Sequence, residues 1–288
     1  MNETDPLYSS IIVNSVFNAF SSYTAIMLNI LVIHALRKTS SLPKPLKILL
    51  LSLAASDLGV GLLVQPLYIA LMSLRLKRRI NSLHIPFNVA QLIFTFASFF
   101  SVVAISVDRF LAVHFHLRYL ELVTHKRVIA VVISIWTFSV LYPVITFVLS
   151  SKRSVFEVIV LIIFGVCLIM TAIVNCRIHF TVRNHADQIE VLRIQTAQNS
   201  QVESAARQRK SAVSIIYVYF LFTVCFLPLY GATVTRLISP QSSILKVMPF
   251  YALTLLFLNS SLNPVVYCWK MRHIRLAVIE TLRNIFRR

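Results

Sequence analysis

Asp57 stands inside the run LLLSLAASDLGVGLLVQPLY, residues 49–68, where its neighbours within a helical turn are apolar or small. A carboxylate can hold a proton, a cation or a hydrogen-bond donor. In an apolar medium it must do one of these, because an unpaired charge there costs several kcal/mol. Asn259 and Asn263 are four residues apart and so share a helix face, with Ser260 and Ser261 between them. Pro264 follows directly and frees a backbone carbonyl one turn earlier, adding an acceptor to this polar group. Asp108 and Arg109 end the run NVAQLIFTFASFFSVVAISVDRF, which carries Ser98 near its middle, and Asn29 lies within MLNILV. The plain alternative for these serines and amides is interhelical hydrogen bonding, at about 0.6–2 kcal/mol each. It does not account for a carboxylate, since an amide would bond as well at a lower desolvation cost.

The elements that must position these residues are apolar helices of membrane length. The chain has 288 residues, 57 % hydrophobic and 13 % charged, against about 25 % charged in soluble domains. A helix needs about 20 apolar residues to cross a bilayer. Seven stretches approach that length, roughly 11–36, 47–72, 87–113, 128–149, 155–182, 211–238 and 247–268. The expectation is an all-α membrane protein, a seven-helix transmembrane bundle over residues 1–269, followed by residues 270–288 as an amphipathic helix and tail. The polar segment 183–210 is expected to extend the fifth and sixth helices. The net charge of +18 is therefore not a nucleic-acid signature, and no nucleic-acid partner is expected. Basic residues mark the cytoplasmic side of membrane proteins. Their distribution predicts a multi-pass membrane protein with its N-terminus outside and its C-terminus inside. The opening MNETDPLYS is too polar for a signal peptide, so the first span is expected to serve as its own insertion signal. Asn2-Glu3-Thr4 is either an N-glycosylation acceptor or a chance triplet. Cys167, Cys176, Cys225 and Cys268 all fall in or beside apolar runs and have no zinc spacing. No nucleophile–base arrangement or metal cluster suggests an enzyme.

Taken together and in order, these residues resemble the rhodopsin-like (class A) G-protein-coupled receptors. The resemblance rests on Asn29, LxxxD ending at Asp57, DRF at Asp108–Phe110, Trp136, CFLP at Cys225–Pro228 and NPVVY at Asn263–Tyr267. The stretch WKMRHIRLAVIETLRNIF is similar to the family's short eighth helix, with Ile274, Ala277, Val278 and Leu282 spaced for one face. The resemblance implies a receptor that couples an extracellular ligand to a heterotrimeric G protein as the sixth helix moves outward. It implies a sodium site at Asp57, Ser98, Asn259 and Asn263, with interhelical bonding as the alternative. It also implies a switch formed by Asp108, Arg109, Phe226, Pro228, Pro264 and Tyr267, with Arg109 and Leu117 meeting the G protein. An aromatic at Phe226 is also ordinary core packing. Several positions depart from the family. Gln208 replaces a glutamate that often restrains the switch arginine, which predicts raised basal signalling. Asn175 takes the place of a fifth-helix tyrosine, Cys167 that of a proline, and Phe226 that of a tryptophan.

For the ligand, the family's amine-binding aspartate corresponds to Gln91 and the retinal lysine to Phe257, so neither an amine counter-ion nor a Schiff base is implied. The missing outer disulfide, with His84 in the cysteine's place, and the short second outer loop look like the melanocortin, cannabinoid and lysophospholipid branch. Adenosine receptors are similar through the fifth and sixth helices. Acidic residues of the melanocortin branch correspond to Leu67, His84 and Asn88, and a key adenosine-receptor asparagine to Thr233. The expected ligand pocket contains Gln91, Leu92, Thr95, Phe226 and Thr233, under a rim of Arg75, Lys77, Arg78, Arg79, Lys152 and Arg153. That rim either steers a lipid or small anion or contacts lipid head groups, and a peptide ligand stays open. From other classes, a proton- or ion-coupled transporter would use Asp57 as its coupling carboxylate, and a decoy receptor would bind without signalling. The internal repeats and paired broken helices common in transporters are not found in the sequence.

Overall fold

The computed structural model describes residues 6–39, 42–76, 82–115, 118–148, 153–195, 200–239, 241 and 247–286. The first span is Pro6–Lys38. The second is Lys44–Gly59, a π-helical turn Val60–Val64, and Gln65–Leu76. The third is His84–His114, followed by a short helix Tyr119–Leu122 and the fourth span His125–Val148. Then come Arg153–Gln195, Ser200–Ile238, Met248–Lys270 and a final helix Arg272–Phe286. No strand occurs among the described residues. The fifth and sixth helices run into the polar segment 183–210, as their sequence suggests.

By length and composition, six of these helices are apolar enough to cross a membrane. Met248–Lys270 has the length, at 23 residues, but its amides and hydroxyls at 259–263 lower its hydropathy. Those groups face protein: Asn259, Ser260, Ser261 and Asn263 are all buried. The span is tolerated in an apolar medium because neighbouring helices cover its polar face and satisfy part of it: Ser261 Oγ donates to the Ser21 carbonyl at 3.0 Å and Asn263 Nδ2 to Asp57 Oδ2 at 2.8 Å.

The third span is central and touches the second, fourth, fifth and sixth. A bond chain ties three spans together: Trp136 Nε1 donates to Ser52 Oγ at 3.1 Å, and Ser52 pairs with Ser101 Oγ at 3.2 Å. An aromatic stack fills the middle, with Phe99 and Phe164 centroids 4.1 Å apart and Phe226 5.5 Å from Phe164.

Of the prolines within the spans, Pro66 and Pro264 each leave a carbonyl that the first span supplies with a donor. Pro264 cannot donate to the Ser260 carbonyl, and Asn29 Nδ2 does so instead at 2.9 Å. In the π turn, the Gln65 N–H bonds Val60. Pro66 then leaves the Gly61 carbonyl without its helical donor. Ser22 Oγ from the first span donates to it at 2.8 Å. Gly61 is glycine for this approach, since a Cβ there would meet Ile26 Cγ1 at 3.0 Å and the Ser22 carbonyl at 3.2 Å.

The final helix buries Ile274 and Val278 as expected, but the next buried position is Thr281 and not Leu282, which is exposed. Thr281 lies seven residues after Ile274, closer to two whole turns than eight. Leu276, Ile279 and Leu282 form a second, exposed apolar face. Lys38 Nζ reaches Glu280 Oε1 at 2.7 Å and joins this helix to the first span.

Candidate functional site

The buried carboxylate and its neighbours sit where the second, third and seventh spans meet. Asp57 is fully buried, and Asn263 Nδ2 donates to its Oδ2 at 2.8 Å. The Ser260 hydroxyl is close by. Asp57 Oδ1, Ser98 Oγ, Asn259 Oδ1, Asn263 Oδ1 and Asn29 Oδ1 have no hydrogen-bond partner among the described residues. Ser98, Asn259 and Ser260 line a cavity of about 10 Å³, room for one water-sized atom. Asp57 does not line that cavity. The structure thus pairs Asn263 with the aspartate and gathers Ser98 and Asn259 around the adjoining space. A cluster of unsatisfied oxygens suits a hard cation. No group of three His, Cys, Asp or Glu that could hold a metal occurs among the described residues, so the candidate set is one carboxylate with neutral oxygens.

At the far end of the third span, Arg109 is 1 % exposed. Its Nε donates to Asp108 Oδ2 at 2.8 Å, and its Nη2 bonds the same oxygen. Tyr119, on the short helix, donates its hydroxyl to Asp108 Oδ1 at 2.8 Å and accepts from Arg109 Nη2 at 3.3 Å. Burial, and then the Asp108 charge, push the Tyr119 phenol above its ordinary pKa, so it stays a donor at neutral pH. The sequence places Tyr119 in this loop without revealing its bond. Arg109 is thus paired with its chain neighbour Asp108 and with Tyr119 of the short helix, and held away from solvent.

The sixth span is fastened at this end by other contacts. Ser214 Oγ donates to the Lys270 carbonyl at 3.2 Å. Lys270 Nζ lies 4.0 Å from the Tyr217 ring centre and 3.7 Å from that of Trp269. Tyr219 donates its hydroxyl to the Leu168 carbonyl of the fifth span at 2.6 Å. Asn175 Nδ2 donates to Ser106 Oγ at 3.2 Å. Asn175 Oδ1 and the buried Tyr267 hydroxyl have no partner among the described residues. Leu117 and Asn2 lie outside the described residues, as does the Gln208 side chain.

At the opposite end a cavity of about 1030 Å³ opens among the second to seventh spans, and all five expected pocket residues, Gln91, Leu92, Thr95, Phe226 and Thr233, line it. Phe226 is 5.6 Å centre to centre from both Phe99 and Phe222, so the cavity floor continues into the aromatic stack. Pro228 lies within the same helix, just beyond Phe226. Of the expected rim cations, Arg75 lines the cavity, and Arg236, which was not among them, does so as well. Lys77, Arg78, Arg79 and Lys152, and the Arg153 side chain, lie outside the described residues.

A buried network beside this cavity was also not anticipated. Thr254 Oγ1 donates to Asn14 Oδ1 at 2.8 Å, Asn18 Nδ2 donates to the same oxygen at 2.8 Å, and Gln65 Nε2 reaches Asn18 Oδ1 at 3.4 Å. The signal was available: Asn14 and Asn18 are one helical turn apart in an apolar run.

The family described as 7 transmembrane receptor (rhodopsin family) matches residues 28–157 and 150–267. The chain belongs to this family. Among curated proteins it is 29 % identical over 274 residues to adenosine receptor A3 of Ovis aries, covering 87 % of this chain and 83 % of that one. It is 28 % identical over 260 residues to melanocortin receptor 5 of Homo sapiens, covering 86 % and 77 %. To melanocortin receptor 4 of Danio rerio it is 24 % identical over 278 residues, covering 93 % and 83 %. This is a rhodopsin-family, G-protein-coupled cell-surface receptor, multi-pass in the plasma membrane, with an all-α seven-helix bundle, and its relatives are receptors and not enzymes.

Proposed function

We propose that the receptor carries a ligand signal from the 1030 Å³ cavity to a heterotrimeric G protein, with its N-terminus outside the cell and its C-terminus in the cytoplasm. The observation that supports this best is the buried Arg109, paired with Asp108 and capped by Tyr119. Such an arginine is a charge in reserve. Breaking a buried pair costs several kcal/mol, so Arg109 is released only when a partner replaces what it loses. Outward movement of the sixth span, pivoting near Pro228, would open that route. Ligand then acts by favouring the open state over the closed one. Leu117 would add an apolar contact to the G protein.

The buried oxygens of Asp57, Ser98, Asn259 and Asn263 fit a sodium ion. When bound, it would supply the positive charge that lets Asp57 stay ionised, and closure of that pocket would couple to activation. Gln208 brings an amide where an acid would restrain Arg109, which favours raised basal activity. The test is G-protein activation in cells expressing the chain, with Arg109→Ala as comparison at equal surface level. The expected result is a signal in the parent that is lost in the variant. A variant signal equal to the parent's would refute the reading.

A further inference from the structure

The cavity has two chemically distinct zones. Its body is aromatic: Phe96, Phe164 and Phe226 line it, with Phe96 and Phe164 centroids 4.9 Å apart. Its mouth is basic. Arg75 ends the second span and Arg236 lies in the last turn of the sixth, and both line the cavity. Glu157 is the one acidic residue among the described lining residues.

Neither arginine belongs to an ion pair among the described residues. The Arg75 guanidinium carbon sits 4.9 Å over the Phe250 ring. This contact fixes the cation in place without neutralising it. The wider charge has the same sign. Residues 1–10, 75–84, 149–157 and 236–249, which flank the spans at this end, contain eight cations (Arg75, Lys77, Arg78, Arg79, Lys152, Arg153, Arg236, Lys246) and three acids (Glu3, Asp5, Glu157). A field of one sign over a cleft concentrates ligands of the other.

The floor offers no counter-charge for a cationic ligand. Gln91 Nε2 lies 3.4 Å from Thr95 Oγ1, and Thr233 Oγ1 is bonded to the Leu229 carbonyl at 2.9 Å. These are neutral amide and hydroxyl groups. Size bears on the body of the ligand. A volume of 1030 Å³ is at the top of the usual 300–1000 Å³ for ligand sites. A small ion alone would leave the aromatic wall facing water.

We infer that the ligand is an organic anion with an extended apolar body, its charge met by Arg75 and Arg236 and its body packed against Phe96, Phe164 and Phe226. The inference rests on the reading of this cavity as the ligand site. Such a molecule reaches the mouth either from solution or from the surrounding bilayer.

The test follows thermal unfolding of the purified full-length receptor in phosphatidylcholine nanodiscs. The probes are oleate, oleyl phosphate, oleyl alcohol, oleylamine and the soluble octanoate. The two oleyl anions are expected to raise the unfolding midpoint, while the alcohol and amine are not. Octanoate acting as well as oleate assigns a ligand from solution, and the oleyl anions alone assign one from the membrane. The combined Arg75→Gln and Arg236→Gln variant is expected to weaken oleate binding at least tenfold. A cavity-filling Thr95→Trp variant is expected to abolish it, which separates binding in the cavity from adsorption at the lipid face. Equal stabilisation by oleyl alcohol, unchanged affinity in the double arginine variant, or no binding of any anion overturns the inference. Basal G-protein activation measured on the same preparations keeps the two readings apart. Signalling without anion binding removes the ligand class alone, and anion binding without signalling removes the receptor mechanism alone.

Discussion

The two oxygens of Asp57 meet different surroundings, since Oδ2 accepts from Asn263 while Oδ1 has no hydrogen-bond partner among the described residues. Asp57→Asn keeps the shape and removes the charge, so it separates a cation site from simple interhelical bonding. Basal G-protein activation should fall as sodium replaces N-methylglucamine in the parent receptor and stay flat in Asp57→Asn. A parent that ignores sodium would leave hydrogen bonding as the whole role of this cluster. Tyr119→Phe removes one hydroxyl from the Asp108–Arg109 pair. A hydrogen bond to a charged group is worth about 1.5–3 kcal/mol. At about 1.4 kcal/mol per factor of ten, the variant should shift the equilibrium toward the open state by roughly tenfold or more. The readout is basal activity at equal surface expression, and a lower value would contradict the restraining role of Tyr119. Both polar clusters stood out in the sequence because a charge in an apolar run admits few explanations. The Tyr119 bond did not, because it depends on how the chain turns between Phe115 and Arg118.

The first span acts on its neighbours by donating to carbonyls that prolines leave open. Ser22 and Asn29 are two helical turns apart and serve the second and seventh spans respectively. Ser22→Ala leaves the Gly61 carbonyl without that donor. The expected loss is about 1–3 kcal/mol for a buried unsatisfied group, seen as a lower unfolding midpoint in nanodiscs. Gly59→Ala should cost more, because its Cβ would fall 2.0 Å from a Phe94 ring carbon. A midpoint unchanged in both variants would mean that this junction adds nothing to stability. The carbonyl freed by Pro264 was readable from spacing alone. The π turn was not, because Val60–Val64 stays apolar whichever helical period it adopts. The final helix shows the same limit, since spacing located its apolar side while packing chose Thr281 over Leu282 for burial. Its tie to the first span is pH-sensitive. The Lys38 ammonium bonded to Glu280 holds that carboxyl below its ordinary value of 4.5. The contact therefore contributes above that value and is lost as pH falls through the depressed one. Both side chains are exposed, so its share of stability is small.

Across the whole molecule, the sixth span is held by its neighbours through Tyr219, Ser214 and the ring contacts of Lys270. Gln208→Glu should lower basal signalling by giving Arg109 an acidic partner, whereas Tyr219→Phe should raise it by releasing the span from the Leu168 carbonyl. Opposite signs in a G-protein activation assay would reverse the assignment of these restraints. The seven-span architecture was evident from hydropathy and motif order, even though one span is too polar to stand out by composition. The restraints on the sixth span were not evident, because they join residues far apart in the chain and leave no local pattern. One of them has a practical use. The chain has 2 tryptophans, Trp136 and Trp269, and the Trp269 indole is 6.0 Å from Tyr217 with an ammonium group against both rings. With Trp136 changed to phenylalanine, the fluorescence of this single indole would brighten or dim as the two helices part, giving a label-free optical record of activation in real time.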